Sequence, residues 1–205
     1  GGGTARRRVR DLPAGAGARL VIPVAAHAER VLLDTSALVS FAQARQLFYL
    51  VQYLGQRGSV ALDVQVEIER HQVGRFSDLK TLAMLRWPPG GPLALPADLL
   101  VDARDLRRLH RQPGEHPDAN AGEIATVLLA ARLGALAVLD DRLGRRLARF
   151  RGLPFLTTPQ LAAEMVATGA IDADMALAVF RAARHSAAPA DVEAAVAAAR
   201  EALGR

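Results

Sequence analysis

Cysteine is absent from the 205-residue chain. That excludes disulfides and thiolate metal sites, and a cytoplasmic setting is expected. Lysine is nearly absent too, because Lys80 stands alone among 26 basic residues and the rest are arginine. No apolar run approaches the ~18 residues of a membrane span, so no membrane association is expected. Behind the basic start GGGTARRRVR there is neither an apolar core nor a cleavage site, so no secretory signal is read there and the stretch is expected to be a tail. Aromatic residues make up only 4% of the chain. Trp87, before two prolines, reads as the anchor of a turn. Phe48, Tyr49 and Tyr53 read as core residues, with a dimer or partner interface as the alternative.

What is present describes a folded protein. At 51% hydrophobic and 23% charged residues, the composition is that of a globular chain. The length suits one well-buried domain with an added subdomain. The net charge of +5 is compatible with a nucleic-acid partner without requiring one.

The most informative stretch is RVLLDTSALVS, residues 30–40. Three apolar residues run into Asp34, and a helical pattern opens directly afterwards, with Ser36 as a suitable cap. Such a run reads as a strand buried on both faces of a parallel sheet. The spacing then predicts a helix over about 36–57, a strand SVALD ending at Asp63, and a helix carrying Glu67 and Glu69. After a poorly patterned segment, a helix is predicted over 97–111 and another over Ala121–Leu133, closed by Gly134. A strand ALAVLD ends at Asp140, a helix covers 142–151, and PFLTT forms a last strand. Pro159 opens the next helix. Two alanine-rich helices follow, near 172–185 and 189–203, the latter capped by Asp191 or an earlier turn residue. An edge strand is read around Pro23, a helix at 79–85 and a brief strand at Leu93–Leu95. Alternating strands and helices predict an α/β fold with a parallel sheet. The expected organisation is an N-terminal extension over 1–29, a core domain over 30–170 and a helical extension over 171–205.

In a parallel sheet, strand ends and helix starts share one edge. Asp34, Glu69, Glu123 and Asp140 could therefore meet, with Asp141 as a rival for Asp140 and Glu67 as a rival for Glu69. Each also has a structural use: Asp34 and Asp140–Asp141 as helix caps, Glu123 as a first-turn acid and Glu69 as a solvated residue. Clustered carboxylates cannot all stay ionised without a cation. The hard cation that suits them is Mg²⁺, or Mn²⁺ as a substitute.

DTSALV after an apolar strand, VQVEIER, GEIATVLLAARLGA, AVLDDRLGRRLA and a closing PFLTT together resemble the PIN-domain nucleases over about residues 30–170. The likeness is greatest to the prokaryotic branch carrying Gly-Glu at the third acidic motif, and VapC-type toxins share the core. The resemblance implies a three-layer α/β/α sandwich around a mostly parallel sheet, with C-terminal helices added. It implies a Mg²⁺- or Mn²⁺-dependent endoribonuclease that hydrolyses RNA phosphodiester bonds, with a toxin role beside a small antitoxin as one form. Laid on the family pattern, Asp34, Glu69, Glu123 and Asp140 match the four acids. Asp34, Glu123 and Asp140 (or Asp141) would be the metal ligands, and Ser36 and Thr158 match the hydroxyl positions of the pocket. Two departures concern the branch more than the core. Asp63 stands where the family often has proline, and Thr157–Thr158 where it more often has Gly-Thr.

Arg142, Arg145, Arg146 and Arg149 fall on one stripe of the helix that begins beside Asp140, while Leu143, Leu147 and Phe150 are expected to face the core. Such a row could hold a phosphate backbone, with a solvated polar face as its alternative use. His110 and His116 fit no zinc spacing. The C-terminal helices offer a surface for a dimer. A haloacid-dehalogenase-like phosphatase is the enzymatic rival, but it requires a second aspartate where Ser36 stands. A non-catalytic RNA- or protein-binding module is the other rival, and a phosphate-binding surface has no use for clustered negative charge.

Overall fold

The computed structural model describes residues 24–71, 79, 82 and 86–204. The tail up to residue 23, most of the strand expected around Pro23 and nearly all of the helix expected over 79–85 lie outside the described residues. Four strands form one sheet: β1 (Val31–Leu33), β2 (Gly58–Val60), β3 (Leu136–Val138) and β4 (Phe155–Leu156). Their order is β2-β1-β3-β4 and every pairing is parallel. Val31, Leu32 and Leu33 pair with Gly58, Ser59 and Val60 on one side and with Leu136, Ala137 and Val138 on the other. All residues of these three strands are buried, as expected of a parallel sheet covered by helices.

The helices are α1 (Val24–His27), α2 (Thr35–Gln43), α3 (Leu47–Leu54), α4 (Leu62–His71) and α5 (Ala97–His110). They continue with α6 (Ala121–Leu133), α7 (Arg142–Phe150), α8 (Thr158–Ala167), α9 (Ala173–Ala183) and α10 (Pro189–Leu203). The architecture is therefore α/β. Helix α6 lies against β1 and β3 and also meets α4, α5 and α7. Helix α8 packs against α9 and α10, and α9 continues onto α2. Among the described residues no helix is long and apolar enough to cross a membrane.

Several local expectations differ from what forms. The segment predicted as one helix over 36–57 is two helices, because Arg45 takes a left-handed backbone with φ 59° and turns the chain. Ser36 lies inside α2, and Asp34 is its cap, accepting a hydrogen bond from the Ala37 amide. Val24–His27 form a helical turn rather than strand. Leu93 makes a single parallel bridge to Ala61 in place of a strand. Of the two starts expected for α10, the earlier turn residue is the one found: Ala188 is the cap position, Pro189 follows in the first turn, and Asp191 lies inside the helix. Phe48 and Tyr49 are exposed at an edge-to-face contact rather than in the core, and Phe150 is 88% exposed.

The order of the strands fixes where a site can form. After β1 the chain crosses to β2 on one side, and after β3 it crosses to β4 on the other. The adjacent carboxyl ends of β1 and β3 are thus the point at which the winding reverses, where helices leave a crevice. Asp34 follows β1 and Asp140 follows shortly after β3.

Candidate active site

Asp34 and Asp140 are buried to within 1% of full coverage. Their strand ends are joined by a hydrogen bond from the Asp34 amide to the Val138 carbonyl at 3.3 Å. One oxygen of Asp34 is committed: Oδ1 accepts from the Ser36 hydroxyl at 2.8 Å and from the Ala37 amide at 2.9 Å. The other, Oδ2, is buried with no hydrogen-bond partner. Burial, reinforced by the negative charge of Asp140, pushes the Asp34 carboxyl up to about 7.

Asp140 is held on both oxygens. Oδ1 accepts from the Thr158 amide at 2.7 Å and Oδ2 from the Ser186 hydroxyl at 3.2 Å. Burial raises its pKa, and these hydrogen bonds and the Arg145 charge oppose the rise. Asp141 caps α7 through the Leu143 amide, and its charge is the largest of those acting on Glu123. Of the two neighbours, Asp140 carries the carboxylate buried beside Asp34.

The second-strand helix contributes Glu67, not Glu69. Glu67 accepts from the Thr35 hydroxyl at 2.5 Å and from the Gly122 amide at 3.0 Å. It therefore bridges the first turns of α2 and α6. Glu69 is exposed, takes a hydrogen bond from Gln65 and borders a separate small apolar cavity beside Trp87. Glu123, in the first turn of α6, faces the same space as Glu67 and leaves its Oε2 buried without a partner. Burial first, then the charges of Asp141, Asp34, Glu67 and Glu115, push it up to about 8.

Of these acids, Glu67 and Glu123 line a cleft of about 600 Å³, together with Thr35, Ser36, His185 and Ser186, among others, while Asp34 and Asp140 are buried next to it. Thr158 is buried next to it and supplies the amide for Asp140. His185 and Ser186 carry no motif in the sequence. A buried acid such as Asp140 demands donors, but nothing in the order of residues says that one lies 46 positions away.

The arginine stripe does not stay together as a phosphate-facing row. Arg145 is tied to Asp191 at the start of α10, with a side chain only 13% exposed. Arg146 reaches His110 at 3.0 Å, and the Arg149 guanidinium lies 5.4 Å from the centre of the Phe155 ring. Arg142, Arg146 and Arg149 are exposed.

Comparison with known proteins returns no match, whether to a family model, a curated protein or a solved structure. The chemistry of the cleft rests on its own residues. Among the described residues, no group of three or more His, Asp or Glu side chains is arranged to hold a metal ion as placed. Two oxygens nevertheless have the character a hard cation uses, the buried and unpartnered Asp34 Oδ2 and Glu123 Oε2. Carboxylate oxygens are the donor type that Mg²⁺ and Mn²⁺ take, and a site with no thiolate and one exposed imidazole does not match structural zinc.

Proposed function

We propose that the chain is a PIN-like nuclease, a three-layer α/β/α fold hydrolysing RNA phosphodiester bonds with Mg²⁺ or Mn²⁺. One observation carries this reading: Asp34 and Asp140 are buried at the strand ends where the sheet winding reverses, Glu67 and Glu123 line the adjoining cleft, and Asp34 and Glu123 each leave one buried oxygen without a partner. Isolated buried acids of this kind are costly, and a cation offsets that cost. Asp34 and Glu123 would hold the ion, with Asp140 behind them. An ion held there would neutralise charge at the phosphate and lower the pKa of an attacking water.

The protein's own groups do the positioning. Ser36 and the Ala37 amide fix one oxygen of Asp34, so the other is presented in a single direction. The Thr158 amide and Ser186 fix Asp140, and Thr35 with the Gly122 amide fixes Glu67. Exposed Arg142, Arg146 and Arg149 lie outside the cleft, where they can follow a phosphate backbone. The same reading carries a cytoplasmic toxin role, a small antitoxin and a dimer. Size-exclusion chromatography of the chain, alone and with the product of a neighbouring reading frame, tests these last points.

The deciding experiment pairs cleavage with calorimetry. Mn²⁺-dependent cleavage of a single-stranded oligoribonucleotide is expected from the native chain, and Asp34→Asn or Glu123→Gln should lower it by at least about a hundredfold. Both variants should also lose Mn²⁺ binding by calorimetry while keeping their circular dichroism. Full cleavage in excess EDTA, or by Asp34→Asn, removes the proposal.

A further inference from the structure

The cleft has one wall that the four acids do not account for. It is built by Ala182, at the end of α9, and by His185 and Ser186 in the turn between α9 and α10. This turn is anchored at the site from two directions. The one hydroxyl proton of Ser186 lies between two acceptors, Asp140 at 3.2 Å and the Ala183 carbonyl at 3.3 Å. A few residues on, Asp191 is paired with Arg145, whose charge acts on Asp140. The wall is therefore tied to a carboxylate buried behind the cleft.

The lining residues pose an electrostatic problem. Glu67 and Glu123 face the cleft, Asp34 and Asp140 lie behind it, and the other lining side chains include the neutral Thr35, Ser36, Ser40 and Gln43. A polyanionic strand entering such a space meets repulsion unless something on the opposite wall accepts its phosphates. His185 is the lining residue with a ring N–H, a donor that imidazole can direct at a phosphate oxygen. Its side chain is exposed, so it can make the contact without desolvation of a buried group.

Resting on the nuclease reading above, we propose that His185 is a substrate-binding residue. Its imidazole holds a non-bridging phosphate oxygen of single-stranded RNA on the wall facing Glu67 and Glu123, and Ser186 positions the turn that carries it. The site is then completed by the C-terminal helical segment and not by the four acids alone.

Steady-state cleavage of a fluorogenic oligoribonucleotide with Mn²⁺ tests this, using the full chain and His185→Ala, His185→Arg and His185→Glu. The expected result is a KM raised about tenfold in His185→Ala with kcat within about twofold, the loss of one charge-assisted hydrogen bond to bound substrate. His185→Arg should restore KM to within about threefold, and His185→Glu should raise it further than alanine does. Thermal unfolding by circular dichroism should be unchanged, since the residue is exposed. If the native chain cleaves and His185→Ala matches it in both constants, or loses kcat alone, the assignment of His185 is wrong and the nuclease reading survives. If the native chain itself fails to cleave, the nuclease reading falls and this inference falls with it.

Discussion

Asp34 shows how much a single side chain is asked to do here. It caps α2 through one oxygen, keeps the other unpartnered, and sits beside a second buried acid. The consequence is a dependence of stability on pH opposite to that of most surface carboxylates. Asp34 and Glu123 have folded pKa values of about 7 and about 8, and Asp140 and Glu164 are shifted in the same direction by burial. A carboxyl with a raised folded pKa binds more protons folded than unfolded between the two values. Folding stability must therefore fall as pH rises through that window. In EDTA, the urea midpoint should drop from about pH 4.5 to about pH 8. Asp34→Asn should remove on the order of 2 kcal/mol of that drop, because the amide keeps the cap without the charge. Saturating Mn²⁺ should flatten the curve in the native chain. A midpoint that climbs with pH in EDTA, or an Asp34→Asn profile parallel to the native one, would contradict the charge assignment.

At the scale of the element, the deciding variable is helix phase. The existence of α4 is legible from its apolar spacing, but which acid looks inward depends on where the helix starts and how it is rotated. It starts at Leu62, and this phase turns Glu67 toward the first turns of α2 and α6 while Glu69, two residues on, faces away. A Cβ at position 122 would lie 2.8 Å from the Glu67 carboxylate, so a larger residue there would push that side chain aside. Glu67→Gln should therefore lower cleavage by about tenfold or more, since a positioned charge is removed, and Glu69→Gln should stay within about twofold of native. Equal losses in the two variants, read as kcat/KM on one oligoribonucleotide, would mean that the cleft has been drawn around the wrong glutamate. The neighbouring elements were easier to read. Helix α6 spans Ala121–Leu133 with Gly134 behind it in a left-handed conformation, where its pattern and cap placed it. Long-range partners had no such local signal. Arg145 resembles a member of a polar stripe until Asp191 is brought to it, and Phe150 resembles a core residue until the end of α7 emerges into solvent.

For the whole molecule, the question is whether residues beyond about 170 are an appendage. As a sequence they read as alanine-rich helices after a finished core. In the fold, Ile171, Val179, Phe180 and Val192 are buried in the same apolar cluster as β1 and β3, and α8 is covered by both α9 and α10. Each such large side chain contributes about 1.5–3 kcal/mol by burial, against a net stability of about 5–15 kcal/mol for a domain. Cutting the chain after Ala170 would remove that burial, bare the side of α8 that α9 and α10 cover, and strip Asp140 of its Ser186 partner and Arg145 of Asp191. The truncated chain should lack a cooperative thermal transition by calorimetry and bind a hydrophobic dye, where the full chain melts in one step. A soluble fragment ending at residue 170 that unfolds cooperatively and still cleaves RNA would show that the acids need no support from the C-terminal wall. It would also limit that wall, and His185 with it, to tuning how substrate is held.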